Sequence, residues 1–174
     1  METTFISDLQ QIVGEQHTLV DKESLALYGY DSTPELESRP GAVLLPANAD
    51  EVARIMTCCH SAGISVSPRG SGTSLSGGSL SIDGGVVIQT SRMNRILEVD
   101  QENLTATVEP GVLTSTLHRA VESLGLFYPP DPASMNISTM GGNVAENSGG
   151  LRGDRKRVVH ETRQALARRV TIKQ

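Results

Sequence analysis

Apolar residues first recur at helical spacing. Phe5, Ile6, Leu9, Ile12 and Val13 fall on one face and predict a helix near Thr4–Glu15. A second short helix is expected over Lys22–Tyr28, followed by a polar connector, Asp31–Arg39, broken by Pro34. Arg39-Pro40-Gly41 then opens a compact α/β unit. Its first strand is Ala42–Leu45. Asn48, with Glu51 three residues on, marks the start of a helix striped by Val52, Ile55, Met56 and Cys59. Gly63 ends that helix in the usual glycine position. Ile64–Val66 is the next strand, parallel to the first through a right-handed crossover.

Farther on, the period returns to two. Asp83-Gly84-Gly85 is a turn before a strand at Val86–Gln89, and Arg92–Arg95 is another turn. Ile96–Val99 and Thr105–Val108 pair as a hairpin across the polar Asp100–Asn103. Glu109-Pro110-Gly111 turns the chain into a helix striped by Leu113, Leu117, Ala120, Val121 and Leu124, with Gly125 at its end. His118 and Arg119 lie off that stripe and are expected in solvent. The sum is an α/β (α+β) fold: a small parallel βαβ subdomain at 40–67, then part of a second sheet subdomain.

Between the Ile64–Val66 and Val86–Gln89 strands lies Pro68–Ser79, with four glycines and five serines or threonines in twelve residues. Glycine admits positive φ and close approach of a ligand, and successive amides in such turns form a nest for an anion. A flexible linker would not sit between two buried strands, so a phosphate cradle is the better reading. It also follows the carboxyl end of a strand, where ligands bind in open α/β sheets. It is not a nucleoside-triphosphate loop: Gly72 and Gly77 are spaced for one, but Gly78 stands where lysine is required. Nor is it a Rossmann fingerprint, since Leu75 takes the third glycine position after Gly70 and Gly72.

A second unusual stretch follows. Pro129, Pro130 and Pro132 hold the backbone extended around Asp131, and Ser134 closes the run. Thr139–Gly150 then carries two Gly-Gly pairs around a short helical segment, whose leading amides (Gly141, Gly142, Asn143) are candidates to face an anion. Asn143 and Asn147 would share a face of that helix. By itself this pattern fits a pair of turns around a short buried helix slightly better than a ligand wall.

Cys58 and Cys59 are adjacent and the only cysteines of 174 residues, which excludes a disulfide framework. Four scattered histidines have no metal-ligand spacing. No secretory leader or membrane span is apparent, and a reducing cytoplasmic location is expected. The formal charge of −5 is uneven: from Leu151 onward eight Lys/Arg face two Asp/Glu, against seven and eighteen in residues 1–150. So abrupt a switch sets the last 24 residues apart.

Taken together, Pro68–Ser79, Glu109-Pro110-Gly111, Pro130-Asp131-Pro132, and Gly141-Gly142-Asn143 leading to Asn147-Ser148-Gly149-Gly150-Leu151-Arg152-Gly153 resemble the PCMH-type FAD-binding domain of the vanillyl-alcohol-oxidase flavoproteins. Within that family the pattern is most similar to the glycolate oxidase subunit GlcD and D-lactate dehydrogenase branch. The resemblance implies that the loop Arg69–Gly78 binds the FAD pyrophosphate through main-chain amides, with Pro68, Arg69, Gly70, Ser71, Gly72, Thr73, Ser74, Leu75, Gly77 and Gly78 as its cofactor-binding residues. The hydroxyls of Ser71, Thr73 and Ser74 would assist. Pro130, Asp131, Pro132 and Ser134, with Gly141, Gly142, Asn143, Asn147, Gly149 and Gly150, would line the other side of the flavin, which would sit between the two sheet regions. Family members with covalent flavin often carry a histidine by the glycine loop. Here Ser79 follows Gly78 and no histidine falls in 61–117, so noncovalent FAD is implied.

The implied activity is oxidation of a small 2-hydroxy acid, of the glycolate or D-lactate type, to the 2-oxo acid, with other subunits of a multi-subunit oxidase as partners. Domains are expected at 1–37 (helical), 38–153 (an incomplete FAD-binding domain) and 154–174 (a divergent basic tail). Asp154–Gln174 lacks the Tyr-Gly segment that such proteins carry next, which marks a truncated or frame-shifted product. The alternative is a genuine tail, with Val159, Leu166 and Val170 on a basic amphipathic helix. A patch this short without aromatics is not a nucleic-acid footprint. Tyr128 and Arg152 are expected to be structural or exposed, leaving the catalytic residues unassigned. Against the enzyme reading stand a non-catalytic fragment and a standalone nucleotide- or phosphate-binding module.

Overall fold

The computed structural model describes residues 1–82, 84–150 and 170–172. The chain divides into two compact units, Met1–Arg92 and Met93–Gln174. In the first, helix α1 (Thr3–Val13) leads to strand β1 (Thr18–Leu19), helix α2 (Lys22–Ala26), strand β2 (Ala42–Leu44), helix α3 (Ala49–Ser61), strand β3 (Val66–Arg69) and strand β4 (Val86–Gln89). The sheet runs β1-β2-β4-β3, with β1 antiparallel to β2 and the rest parallel. Strands β2 and β3 are thus parallel as expected, but β4 lies between them. Val86, Val87 and Ile88 are all buried, as suits a strand of a sheet covered on both faces, and β4 is paired on both edges. Pro68, which cannot donate to a ladder, is in edge strand β3.

Helix α3 starts as its sequence predicts. Asn48 Oδ1 accepts from the Glu51 amide at 2.9 Å, while the Glu51 carboxylate accepts from the Ala47 amide at 2.7 Å, one residue ahead of the usual reciprocal bond. Leu9 and Val13 of α1 pack with Ala42, Leu44, Ile55, Cys59, Val86 and Ile88 in one core. Met56, expected on the buried stripe, is exposed.

The second unit contains the predicted hairpin, β5 (Ile96–Asp100) antiparallel to β6 (Thr105–Val108), with the Asp100 carboxylate accepting from the Glu102 and Asn103 amides in the turn. Helix α4 (Thr114–Glu122) and the short α5 (Met140–Ala145) follow. Strand β7 (Val170–Ile172) pairs in parallel with β6, so Val170 is in a strand and not on the amphipathic helix considered for the tail. Val159, Leu166, Arg152 and the rest of 151–169 lie outside the described residues, as does Asp83 of the predicted turn.

The core holds Ala106, Val108, Val112, Leu117, Val121 and Met140. Leu117 and Val121 of the expected stripe of α4 are buried, but Leu113 is the N-cap and Leu124 lies beyond the helix, and both are exposed, while Thr114 and His118 are buried. His118 is therefore not in solvent. The polar partners described below reward burial of those two residues, a term that apolar spacing does not contain. Among the described residues, no helix is long and apolar enough to cross a membrane.

Candidate functional site

The glycine loop leaves the carboxyl end of β3. Gly72 (φ 69°) and Gly77 (φ 72°) are left-handed, a conformation that side chains with Cβ resist. A Cβ at Gly72 would run into the Arg69 guanidinium, 2.7 Å from Cζ, and one at Gly77 would meet Leu36 Cδ2 at 2.5 Å. Among the described residues, the amides of Ser71, Gly72, Thr73, Leu75 and Gly78 have no hydrogen-bond acceptor, nor do the Ser71 and Thr73 hydroxyls have partners. The Ser74 hydroxyl differs, being tied to Ser76 within the loop. Leu75 projects outward, 75% exposed. Gly70 is half-buried where the strand ends.

Beneath the loop lies Arg69, only 7% exposed, its guanidinium held within the fold. Its Nη2 donates to the Tyr30 carbonyl at 2.8 Å, and its guanidinium lies 5.5 Å from the Tyr28 ring centroid. Burial pulls its pKa below the ordinary value, opposed by nearby Asp31. For Asp31, burial works upward but is outweighed by hydrogen bonds from Thr33 and Ser79 and by the Arg69 charge, leaving the carboxyl below its ordinary value. Ser79 Oγ donates to Asp31 Oδ2 at 3.2 Å, the Gly77 amide donates to Thr33 Oγ1 at 3.0 Å, and the Ser32 amide donates to the Ser74 carbonyl at 3.1 Å. The Asp31–Arg39 connector is therefore part of the loop's setting. Sequence reasoning missed it because no periodicity or spacing links residues so far apart along the chain.

In the second unit the structure brings together Pro130, Asp131, Gly149 and Gly150. The Asp131 amide donates to the Gly149 carbonyl at 3.1 Å, and Asp131 and Gly150 form an isolated parallel bridge. Gly150 (φ 72°) has no room for a Cβ against the Asp131 carbonyl. Pro130 and Pro132 are buried, and the Ser134 carbonyl accepts from the Ile137 and Ser138 amides. His118 Nε2 lies 2.7 Å from the Pro130 carbonyl. A carbonyl only accepts, so that nitrogen carries the proton. Tyr128 packs edge-on against His118 at 5.4 Å, and burial pushes its hydroxyl up to about 12, a structural role.

The amides read as anion-facing are all taken. Gly141 donates to the Pro110 carbonyl (2.8 Å), Gly142 to Thr139 Oγ1 (3.2 Å) and Asn143 to the Thr139 carbonyl (2.9 Å). The Asn143 side chain turns inward to Thr114 Oγ1 at 2.6 Å. Helix α5 ends before Asn147, an exposed residue with φ 54°, so the two asparagines share no helical face. A buried polar network of Thr114, Ser138 and Asn143 has claimed what the motif offered.

The donor set matches a diphosphate. Several neutral amides and two hydroxyls in one loop spread their donors over many phosphate oxygens, and no lysine is needed. A mostly parallel sheet with a glycine loop at the carboxyl end of a strand makes this an α/β domain with its loop where such domains bind ligands. The model of the FAD binding domain family matches residues 40–168. The chain belongs to that family, and FAD is its cofactor. It is 54% identical over 145 residues to the glycolate oxidase subunit GlcD of Bacillus subtilis, covering 83% of this chain and 31% of that protein. Identity is 40% to the D-lactate dehydrogenase of Anaerostipes hadrus (75% and 26% covered) and 34% to the D-2-hydroxyglutarate dehydrogenase of Stutzerimonas stutzeri (87% and 32%). Among solved structures, alkyldihydroxyacetonephosphate synthase superposes with a TM-score of 0.77 at 24% identity, covering 86% of this chain and 33% of that one. For p-cresol methylhydroxylase the TM-score is 0.70 at 22% identity, covering 80% and 28%. These last two likenesses concern the fold alone. The chain spans about a third of the length of the curated relatives it matches.

Proposed function

We propose that this chain is the FAD-binding part of a flavin-dependent oxidoreductase that converts a small 2-hydroxy acid, of the glycolate or D-lactate type, to its 2-oxo acid. The observation that carries the reading is the row of amides at Ser71, Gly72, Thr73, Leu75 and Gly78 that have no acceptor among the described residues, on a loop supported from below. These amides, with the Ser71 and Thr73 hydroxyls, hold the pyrophosphate. FAD, when bound, supplies the acceptor for the hydride that leaves the α-carbon. Binding is noncovalent on this reading, because no histidine falls in residues 61–117 around the loop. The groups that hold the substrate carboxylate and take its hydroxyl proton belong to the portion of the relatives that this chain does not match. Other oxidase subunits are partners on the same reasoning, as GlcD is named a subunit.

The test is titration of the purified chain with FAD, followed by ADP, reading flavin absorbance and fluorescence. Saturable uptake of FAD, competed by ADP, is expected, and bleaching on adding glycolate or D-lactate requires the remainder of the enzyme. Absence of any saturable uptake overturns the reading. Uptake without bleaching in the complete protein leaves only a nucleotide-binding module.

A further inference from the structure

We propose that the irregular segment Tyr28–Thr33 is a positioning clamp that sets the glycine loop in its cofactor-binding shape, with Asp31 and Thr33 as its positioning residues. The inference rests on the loop's being the pyrophosphate site. Neighbouring residues of the segment each take hold of a different part of the loop. The Tyr28 ring and Tyr30 carbonyl fix the Arg69 guanidinium. Asp31 holds Ser79 at the loop's far end, Ser32 holds the Ser74 carbonyl in its middle, and Thr33 holds the Gly77 amide. Arg69 in turn occupies the space below Gly72 where a Cβ would go.

The physical need is clear from composition. A loop with four glycines samples many backbone states when free, and ordering it on binding would weaken affinity. Contacts that order it beforehand remove that cost from the binding step. The contacts engage the Gly77 amide, the Ser74 carbonyl and buried side chains, and none of them takes the Ser71, Gly72, Thr73, Leu75 or Gly78 amide. That division is what a support, as opposed to a ligand contact, requires.

The experiment compares Thr33→Val, Thr33→Ser and Thr57→Val in the 174-residue chain. Valine removes the acceptor for Gly77 at nearly constant volume, serine restores it, and Thr57 on α3 controls for loss of a hydroxyl elsewhere. Amide NMR without cofactor and FAD titration are the two readouts. Expected are a shifted Gly77 amide and larger-amplitude relaxation at residues 71–78 in Thr33→Val. FAD affinity should fall about five-fold, the scale of one lost hydrogen bond. Thr33→Ser should return within about two-fold of the unsubstituted chain on that scale, and Thr57→Val should match it. Unchanged loop relaxation in Thr33→Val overturns the clamp, as does unchanged FAD affinity alongside a displaced Gly77 amide. If the unsubstituted chain takes up no FAD, the flavin reading fails, and the NMR comparison alone decides whether the segment orders the loop.

Discussion

Gly72 is a residue at which the glycine loop leaves no room for a side chain. Its left-handed φ costs a side-chain-bearing residue roughly 1–2 kcal/mol, and the Arg69 guanidinium fills the space a Cβ would need. Gly72→Ala should weaken FAD binding about ten-fold or more, combining backbone strain with displacement of the charge below. Gly63→Ala separates the two effects, because Gly63 has a similar φ of 64° but nothing within 4 Å of its added Cβ. That variant should lose about 1 kcal/mol of stability in urea unfolding and keep its FAD affinity. Equal affinities for the two variants would show that the Arg69 contact plays no part. At this scale the glycines were legible in the chain, since their spacing and density announce turns. The partners of Arg69 were not, because Tyr30 and Asp31 reach it only through tertiary packing.

Helix α4 illustrates what an element's sequence leaves out. Its apolar stripe predicts Leu113 and Leu124 inside, yet these two flank the helix and are exposed, and the helix buries Thr114 and His118 beside Leu117 and Val121. Thr114 Oγ1 accepts from Asn143 at 2.6 Å and is 2.9 Å from Ser138 Oγ, while His118 fixes the Pro130 carbonyl. Thr114→Val, nearly equal in volume, should cost about 1–3 kcal/mol because it strands the buried Asn143 amide. Chemical denaturation checks this, and a cost near zero would mean that water or another acceptor replaces the hydroxyl. By contrast, the start of α3 was fully legible. A cap acts within four residues, so Asn48 and Glu51 carry the information themselves.

Across the whole molecule, stability should fall at both pH extremes. The Arg95 side chain, bonded to Glu109 at 2.7 Å, holds the Glu109 carboxyl below its ordinary value, and Asp31 is lowered as well. Groups depressed in the fold stabilise it above their unfolded values, so that contribution is intact near pH 7 and drains away below about pH 4. Burial raises Cys59 to about 11 and Tyr128 to about 12, contributions that hold below the unfolded values and vanish as pH climbs through those numbers. Thermal midpoints across pH should drop on both sides, with a shallower acid limb in Glu109→Gln and a shallower alkaline limb in Tyr128→Phe. Unaltered limbs in these variants would remove the assignment. The chain's sequence by itself determined the βαβ unit, the strand after the glycine loop, the hairpin, the loop itself and the family, because periodicity, caps and turn chemistry act over a few residues, whereas the short strands β1 and β7 carried no such signal. Only the tertiary structure decided that β4 sits inside the sheet and that Arg69 faces inward. It alone spent the amides of Gly141, Gly142 and Asn143 on protein carbonyls and a hydroxyl. Those outcomes depend on which distant polar groups need partners once water is gone, and no local pattern encodes that pairing.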